Sequence, residues 1–238
     1  MYEFSKMIGY SDCDSDWKLT PYGLINCFQD CSTFQSEELS MGEAFVREHQ
    51  AAWILASWDI RIFSLPSHMT SVRVATWPYE FKHSFGFRNY TLKGDNDELF
   101  ACADSQWIYF DLERLKPIRL PEEVRSGYEN RMEEKLPYEF APRKIALPEE
   151  FTEEEPFFVR QGDIDTNRHV NNAVYLRMAM DYLPDSSEIK QIRVEYIKAA
   201  VLSDQVFPMV HRDADRTVIC LDGKDKKPFA VIEARCNM

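Results

Sequence analysis

The stretch that decides the fold is Asp163-Ile164-Asp165-Thr166-Asn167-Arg168-His169-Val170-Asn171, because the chain contains a second, diverged copy of it. That copy is Asp12-Cys13-Asp14-Ser15-Asp16-Trp17-Lys18-Leu19-Thr20, at a constant offset of 151 residues (163 − 12). Both copies are polar turns followed by a helical pattern. We therefore interpret them as equivalent segments of an internal duplication, in which only one copy kept the catalytic residues.

Elements of the same types follow both copies. After the first, Pro21 can open a helix, and apolar residues recur at three- and four-residue steps to about Glu38. Runs rich in Val, Ile and aromatic residues then predict strands at 51–63, 71–82, 85–93 and 98–112. After the second copy, the sequence predicts a helix at about 172–183 and strands at 189–198, 205–212, 216–222 and 228–235. This order predicts an α+β fold, with each helix wrapped by an antiparallel sheet.

Residues 121–156 separate the two halves. This stretch contains five of the 12 prolines and 11 of the 40 acidic residues, so it favours a surface connection with one short helix near 121–130. We therefore predict an N-terminal repeat at 1–120, a linker at 121–156 and a C-terminal repeat at 157–238.

Composition excludes several classes of protein. The 238 residues have a net charge of −12, which argues against nucleic acid and anionic membranes as partners. The eight glycines form no dinucleotide-binding or phosphate-binding loop and no G-x-S-x-G turn. The six cysteines are scattered without a C-x-x-C pair, and no signal peptide or membrane-spanning run is present. We expect a reduced, cytoplasmic protein without a metal or a cofactor.

The second turn contains the groups needed for hydrolysis. His169 can take a proton from water, and Asp165 can orient the imidazole or share the role of base. Asn167 can polarise a carbonyl. Asn171 is a good N-cap for the helix that follows. Asn171 and Asn172 also lie at the helix start, where backbone amides could stabilise an oxyanion. Each residue also has a simpler interpretation, as a turn former, a cap or a surface histidine.

This segment is similar to the catalytic motif of the acyl-[acyl-carrier-protein] thioesterases of plants and bacteria. The similarity covers about residues 3–236 and includes Thr76-Trp77, Arg88, Ala103-Asp104-Ser105-Gln106-Trp107, Leu120-Pro121-Glu122-Glu123-Val124-Arg125 and Arg193-Val194-Glu195-Tyr196. The resemblance implies a tandem (double) hot-dog fold and hydrolysis of the thioester that joins a fatty acyl chain to its carrier protein. It also implies that Asp165, Asn167 and His169 are catalytic.

One departure from the family bears on the mechanism. Where plant members have an E-Y-x-x-E-C run, this chain has Glu195-Tyr196-Ile197-Lys198-Ala199-Ala200. A cysteine nucleophile is therefore excluded at that place, and we expect direct attack by water. Glu195 is a weak candidate for the missing carboxylate, and its simpler role is that of a cross-strand residue.

The sequence leaves several interpretations open. Arg168 and Arg177 flank the motif and are candidate contacts to an acidic carrier protein, or they serve solubility. Trp53, Trp58 and Phe63 have the bulk to line an acyl groove, or they belong to the core. An acyl-CoA thioesterase of the same fold and a non-catalytic acyl-binding protein are the alternative functions, and the chain can be a monomer or a homodimer.

Overall fold

The computed structural model describes residues 1–237, which form two compact units. The first comprises Met1–Ala56 and Phe63–Phe140, and the second comprises Ser57–Ile62 and the chain from Ala141 onward. The elements of the first half are β1 (Tyr2–Met7), α1 (Pro21–Glu38), α2 (Glu43–His49), β2 (Ala51–Ile62), β3 (Ser71–Lys82), β4 (Phe85–Gly94), β5 (Leu99–Asp111), β6 (Lys116–Pro117) and α3 (Glu122–Glu129). Those of the second half are β7 (Thr152–Glu153), β8 (Phe157–Phe158), α4 (Asn172–Ala179), β9 (Gln191–Tyr196), β10 (Gln205–Arg212), β11 (Arg216–Asp222) and β12 (Pro228–Arg235).

In the first unit, α1 packs on an antiparallel sheet with the order β1-β3-β4-β5. Pro21 occupies the first helical position, and Thr20 caps the helix by accepting the Gly23 N–H at 3.1 Å. The buried stripe of α1 includes Phe28, whose ring lies 5.2 Å from that of Tyr90 in β4. Burial of each such side chain contributes about 1.5–3 kcal/mol, so this stripe fixes the helix on the sheet.

In the second unit, an antiparallel sheet has the order β9-β12-β11-β10-β7, and residues 57–61 of β2 pair with β9. Helix α4 packs on β11 and β12 through Ala173, Tyr175, Leu176 and Ala179. The α-helix ends at Ala179, earlier than the predicted 183, and continues as a 3₁₀ turn over Met180–Tyr182. Leu183 is extended because the ring of Pro184 disfavours helical backbone at the preceding residue.

The predicted α+β class is confirmed, since each unit combines a helix with an antiparallel sheet. The predicted helix at 121–130 corresponds to α3, whereas α2 and the two-residue strands β6 and β7 were not predicted. The repeat boundaries at 120 and 156 stay a prediction. Within residues 1–237, no helix has the length and apolar character needed to cross a membrane.

Candidate active site

The second turn is a closed structure held by its own backbone. A 3₁₀ turn over Gln161–Asp163 leads into it, and Asp165 N–H donates to the carbonyl of His169 at 2.9 Å. Arg168 adopts a left-handed conformation (φ 64°), and its N–H returns to the carbonyl of Asp165 at 3.1 Å. Residues 165–169 therefore form a tight loop.

The front turn has the same hydrogen bonds, although its sequence has diverged. Four hydrogen bonds of the second turn recur in the front turn at the 151-residue offset. In the front turn they are Asp14 N–H to Lys18 C=O, Trp17 N–H to Asp14 C=O, Asp16 N–H to Asp14 Oδ1 and Thr20 N–H to Asp12 C=O. In the second turn they are, in the same order, Asp165 N–H to His169 C=O, Arg168 N–H to Asp165 C=O, Asn167 N–H to Asp165 Oδ1 and Asn171 N–H to Asp163 C=O. The left-handed residue is also shared, with φ 60° at Trp17. This correspondence supports the duplication, and it shows that the turn forms without His169.

The three predicted catalytic residues lie together in this loop. Asn167 and His169 are exposed, and Asp165 is half-buried. Asp165 Oδ1 accepts the Asn167 N–H at 2.8 Å, and the remaining lone pairs of the carboxylate can face an imidazole or a water molecule. The structure thus shows Asp165 bound to the backbone of the loop, and the imidazole of His169 has no hydrogen bond within residues 1–237.

Asn171 caps α4 as predicted. Its Oδ1 accepts the Ala173 N–H at 2.9 Å, and its carbonyl accepts the Val174 N–H at 2.9 Å. These two amides of the first turn are therefore already bound and cannot both serve an oxyanion. The carbonyl of Asn172 accepts the Tyr196 hydroxyl at 2.9 Å, which ties the helix start to β9.

The sequence did not predict the contact between Tyr175 and Ala200, which lies beside the turn. Ala200 N–H donates to the hydroxyl of Tyr175 at 2.8 Å, and Ala200 C=O accepts the Val170 N–H at 2.9 Å. Burial raises the pKa of Tyr175 to about 12, and it raises the pKa of Tyr196 well above its ordinary value, so both hydroxyls stay protonated. The apolar-polar pattern of α4 places Tyr175 on the buried face, but no signal in the sequence pairs it with Ala200.

The two arginines that flank the motif have different positions. Arg177 pairs with Asp163, whose Oδ2 also accepts the Arg160 N–H at 2.7 Å. Arg177 therefore fastens the turn to α4. Arg168 is exposed at the tip of the loop and is the one of the two arginines that can meet a partner without breaking that pair.

Glu195 lies away from the turn. Its Oε2 accepts the Ile145 N–H at 3.1 Å, and its Oε1 pairs with Arg143 at 3.5 Å. The next residue, Tyr196, reaches α4 from the other face of the strand, since successive side chains of a strand alternate. Glu195 thus fixes residues 143–145, and the structure does not bring it together with His169.

The three aromatic residues considered for an acyl groove, Trp53, Trp58 and Phe63, have different surroundings. Trp58 is buried in the core of the second unit. Trp53 packs against Phe81 and Tyr109, while Phe63 is exposed beside Tyr138. A cleft of about 360 Å³ opens elsewhere in the first unit, on the face of β3 and β4 that contains Trp77 and Lys93. Within residues 1–237, no cluster of three or more His, Cys, Asp or Glu side chains is arranged to hold a metal ion.

The fold has close counterparts among solved structures. An acyl-ACP thioesterase from Bacteroides thetaiotaomicron has a TM-score of 0.88 at 19% identity, covering 98% of this chain and 96% of that one. The 12:0-ACP thioesterase from Umbellularia californica has a TM-score of 0.84 at 13% identity, covering 98% and 96%. In sequence, the chloroplastic oleoyl-acyl carrier protein thioesterase 2 of Arabidopsis thaliana is 24% identical over 196 residues, 73% of this chain and 51% of that protein. The chain thus spans about half the length of this relative.

The class defined by these observations is the double hot-dog fold with a polar turn at the start of α4, the main helix of the second unit. The acyl-ACP thioesterase N-terminal domain model matches residues 1–128, and the C-terminal domain model matches residues 146–226. The chain therefore belongs to the acyl-ACP thioesterase family.

Proposed function

We propose that this protein hydrolyses fatty acyl-[acyl-carrier-protein] thioesters, releasing a free fatty acid and the carrier protein. The observation on which the proposal depends is the geometry of the second turn. Backbone bonds within the turn close it and a bond from Val170 to Ala200 anchors it, so the side chains of Asn167 and His169 project from a fixed loop at the start of α4. Membership of the family supports the substrate class.

His169 acts as the general base. It takes a proton from water as the water oxygen attacks the thioester carbonyl, and Asp165 Oδ2 stabilises the imidazolium. The Asn167 amide donates to the developing oxyanion, and the helix dipole adds to this stabilisation. The tetrahedral intermediate then expels the thiolate as the carbon–sulfur bond breaks, and the imidazolium returns its proton to the sulfur.

The magnitudes are adequate for a thioester, whose thiolate leaves readily. A general base supplies ~10²–10⁴-fold and one oxyanion donor ~10²–10³-fold. A nucleophilic cysteine is not needed. Position 200 is a buried alanine, and Ala199 is exposed without a functional group.

Apolar residues beside the turn support a lipophilic substrate. Ile197, Val201 and Leu202 are exposed on the loop after β9, the same loop in which Ala200 binds Val170. Exposed apolar side chains grouped on one loop are typical of a surface that binds an apolar ligand. We propose that this loop contacts the acyl chain or the pantetheine arm.

The carrier protein is proposed to dock near Arg168. Charge reversal in Arg168→Glu should raise KM for acyl-carrier substrates at least ~5-fold, with little effect on acyl-pantetheine, because only the carrier protein presents acidic side chains. Equal effects on both substrates would contradict docking at this residue. Cytoplasmic location and a monomeric or homodimeric state stay predictions.

The test of the activity is thiol release from acyl-carrier-protein thioesters of short to long chain length. His169→Ala should lower kcat at least ~10²-fold while the fold is retained. The matched control is Lys18→Ala, since Lys18 occupies the equivalent position in the front turn. Faster turnover of acyl-CoA than of acyl carrier protein would favour the CoA alternative, and tight acyl binding without turnover would favour an acyl-binding protein.

A further inference from the structure

We infer that Tyr175 is a positioning residue for hydrolysis: its hydroxyl holds Ala200, and Ala200 in turn holds the residue that follows His169. The inference rests on the proposed function for its effect on catalysis. Its structural part can be tested without any activity.

The contacts form a closed ring. Tyr175 is 3% exposed and lies one helical turn beyond the cap, Asn171. Its hydroxyl accepts the Ala200 N–H at 2.8 Å, and Ala200 C=O accepts the Val170 N–H at 2.9 Å. Since Val170 is bonded directly to His169 and Asn171, the ring closes through the first turn of α4. Ala200 therefore helps to fix the position of the His169 imidazole, because it binds the neighbouring residue, Val170.

The front copy shows what the fold itself requires. There Leu19 N–H donates to the carbonyl of Pro66 at 2.9 Å, the bond that corresponds to Val170 N–H and Ala200 C=O. Pro66 has no N–H to satisfy, and the residue equivalent to Tyr175 is the buried Leu24. A leucine–proline pair therefore forms the same turn in this chain. The hydroxyl and the amide that it binds occur together only in the copy that contains the histidine.

Loss of the hydroxyl leaves the buried Ala200 N–H without an acceptor. The loop around Ala200 must then shift toward water, and Val170 and His169 shift with it. A displacement of about 1 Å in a catalytic group can cost ~10²-fold in rate. We expect Tyr175→Phe to lower kcat at least ~10-fold and to change KM by less than ~2-fold, because the substrate-binding surface is intact.

The pH profile separates positioning from acid–base chemistry. Burial raises the pKa of Tyr175 to about 12, so this hydroxyl does not titrate near neutral pH. Tyr175→Phe should therefore keep the pH midpoints of kcat/KM and lower only the plateau. Disappearance of a midpoint would overturn the positioning role. The matched control is Tyr182→Phe, which removes the hydroxyl of a half-buried tyrosine just after α4.

Two further measurements keep the test decisive. In Tyr175→Phe, amide hydrogen exchange at Val170 and Ala200 should accelerate at least ~10-fold, with no change at Leu19 in the front turn. This result does not depend on activity, so it tests the inference even if wild type hydrolyses no thioester. The double variant Tyr175→Leu/Ala200→Pro copies the front pair and should recover at least half of the lost kcat. Unchanged exchange in Tyr175→Phe, or unchanged kcat, would overturn the inference.

Discussion

Asp163 and Arg177 form an ion pair, and we expect mutation of Asp163 to lower the free energy of unfolding more than mutation of Arg177 does. Asp163 is 8% exposed, its Oδ2 accepts the Arg160 N–H at 2.7 Å, and its Oδ1 pairs with Arg177. Asp163→Ala leaves that backbone N–H unsatisfied, at about 1–3 kcal/mol, and also loses the ion pair. The side chain of Arg177 is 43% exposed, so solvent reduces the value of the pair to about 0.2–1 kcal/mol. Asp163→Ala loses both contributions and should thus cost about 1–4 kcal/mol, whereas Arg177→Met should cost no more than about 1 kcal/mol.

The assay is urea unfolding of wild type, both single variants and the double variant. The coupling energy in this cycle should lie below about 1 kcal/mol. A matched variant is Asp12→Ala, which removes the equivalent backbone bond in the front turn, from Gly9 N–H at 3.1 Å, and an ion pair at 3.0 Å with Nζ of Lys6, which lies in β1 and not in the helix. Asp12→Ala should lower stability but keep kcat within about 2-fold, whereas Asp163→Ala should lower kcat about 10-fold through displacement of the turn. A cost for Arg177→Met equal to that of Asp163→Ala would refute this reasoning.

Two other predictions concern buried ionisable groups. Burial alone would raise the pKa of Glu233, but hydrogen bonds from Arg193, Arg216 and Arg235 outweigh it and lower the pKa below 4.5. This stabilisation is therefore complete above about pH 4.5 and is lost as the pH falls through the folded-state pKa. Glu233→Gln should lower the free energy of unfolding by about 3–5 kcal/mol at pH 7. Urea unfolding from pH 7 to pH 3 should show a weaker loss of stability with acid in this variant than in wild type. Burial also raises the pKa of Cys27 to about 11 and of Cys31 and Cys220 to about 12. Desolvation also raises the pKa of Cys13 and Cys236, but these two thiols are half-exposed and the other four are buried, so a thiol reagent at pH 8 should react first with Cys13 and Cys236, without loss of turnover. Equally fast reaction of more than two thiols in the native protein would be inconsistent with this packing.

Much of the fold follows from local signals. The start of α1 was predicted from Pro21 and the apolar stripe, and the structure confirms it. Strands at 71–82, 205–212, 216–222 and 228–235 also have their predicted bounds. Their sequences are rich in β-branched and aromatic residues, and turn-forming residues flank them. The 3₁₀ turn that follows α4 stops before Leu183 because of Pro184, a signal that the sequence also contains.

The site was only partly predictable, for a physical reason. The motif residues are contiguous, so the turn that unites Asp165, Asn167 and His169 can be inferred from spacing. The contacts that hold the turn join residues far apart in sequence, such as Tyr175 with Ala200. The same applies to Glu195, which binds Ile145 across 50 residues. Such pairs depend on how a loop packs against a helix or a strand distant in sequence, which local patterns do not specify.

The central claim is that His169, in the second of two equivalent turns, is the base that hydrolyses an acyl thioester. The most direct test compares thiol release from acyl carrier protein by wild type, His169→Ala and Lys18→Ala under identical conditions. We expect His169→Ala to lose at least ~10²-fold in kcat and Lys18→Ala to stay within ~2-fold of wild type. Undiminished turnover by a folded His169→Ala variant would contradict this claim.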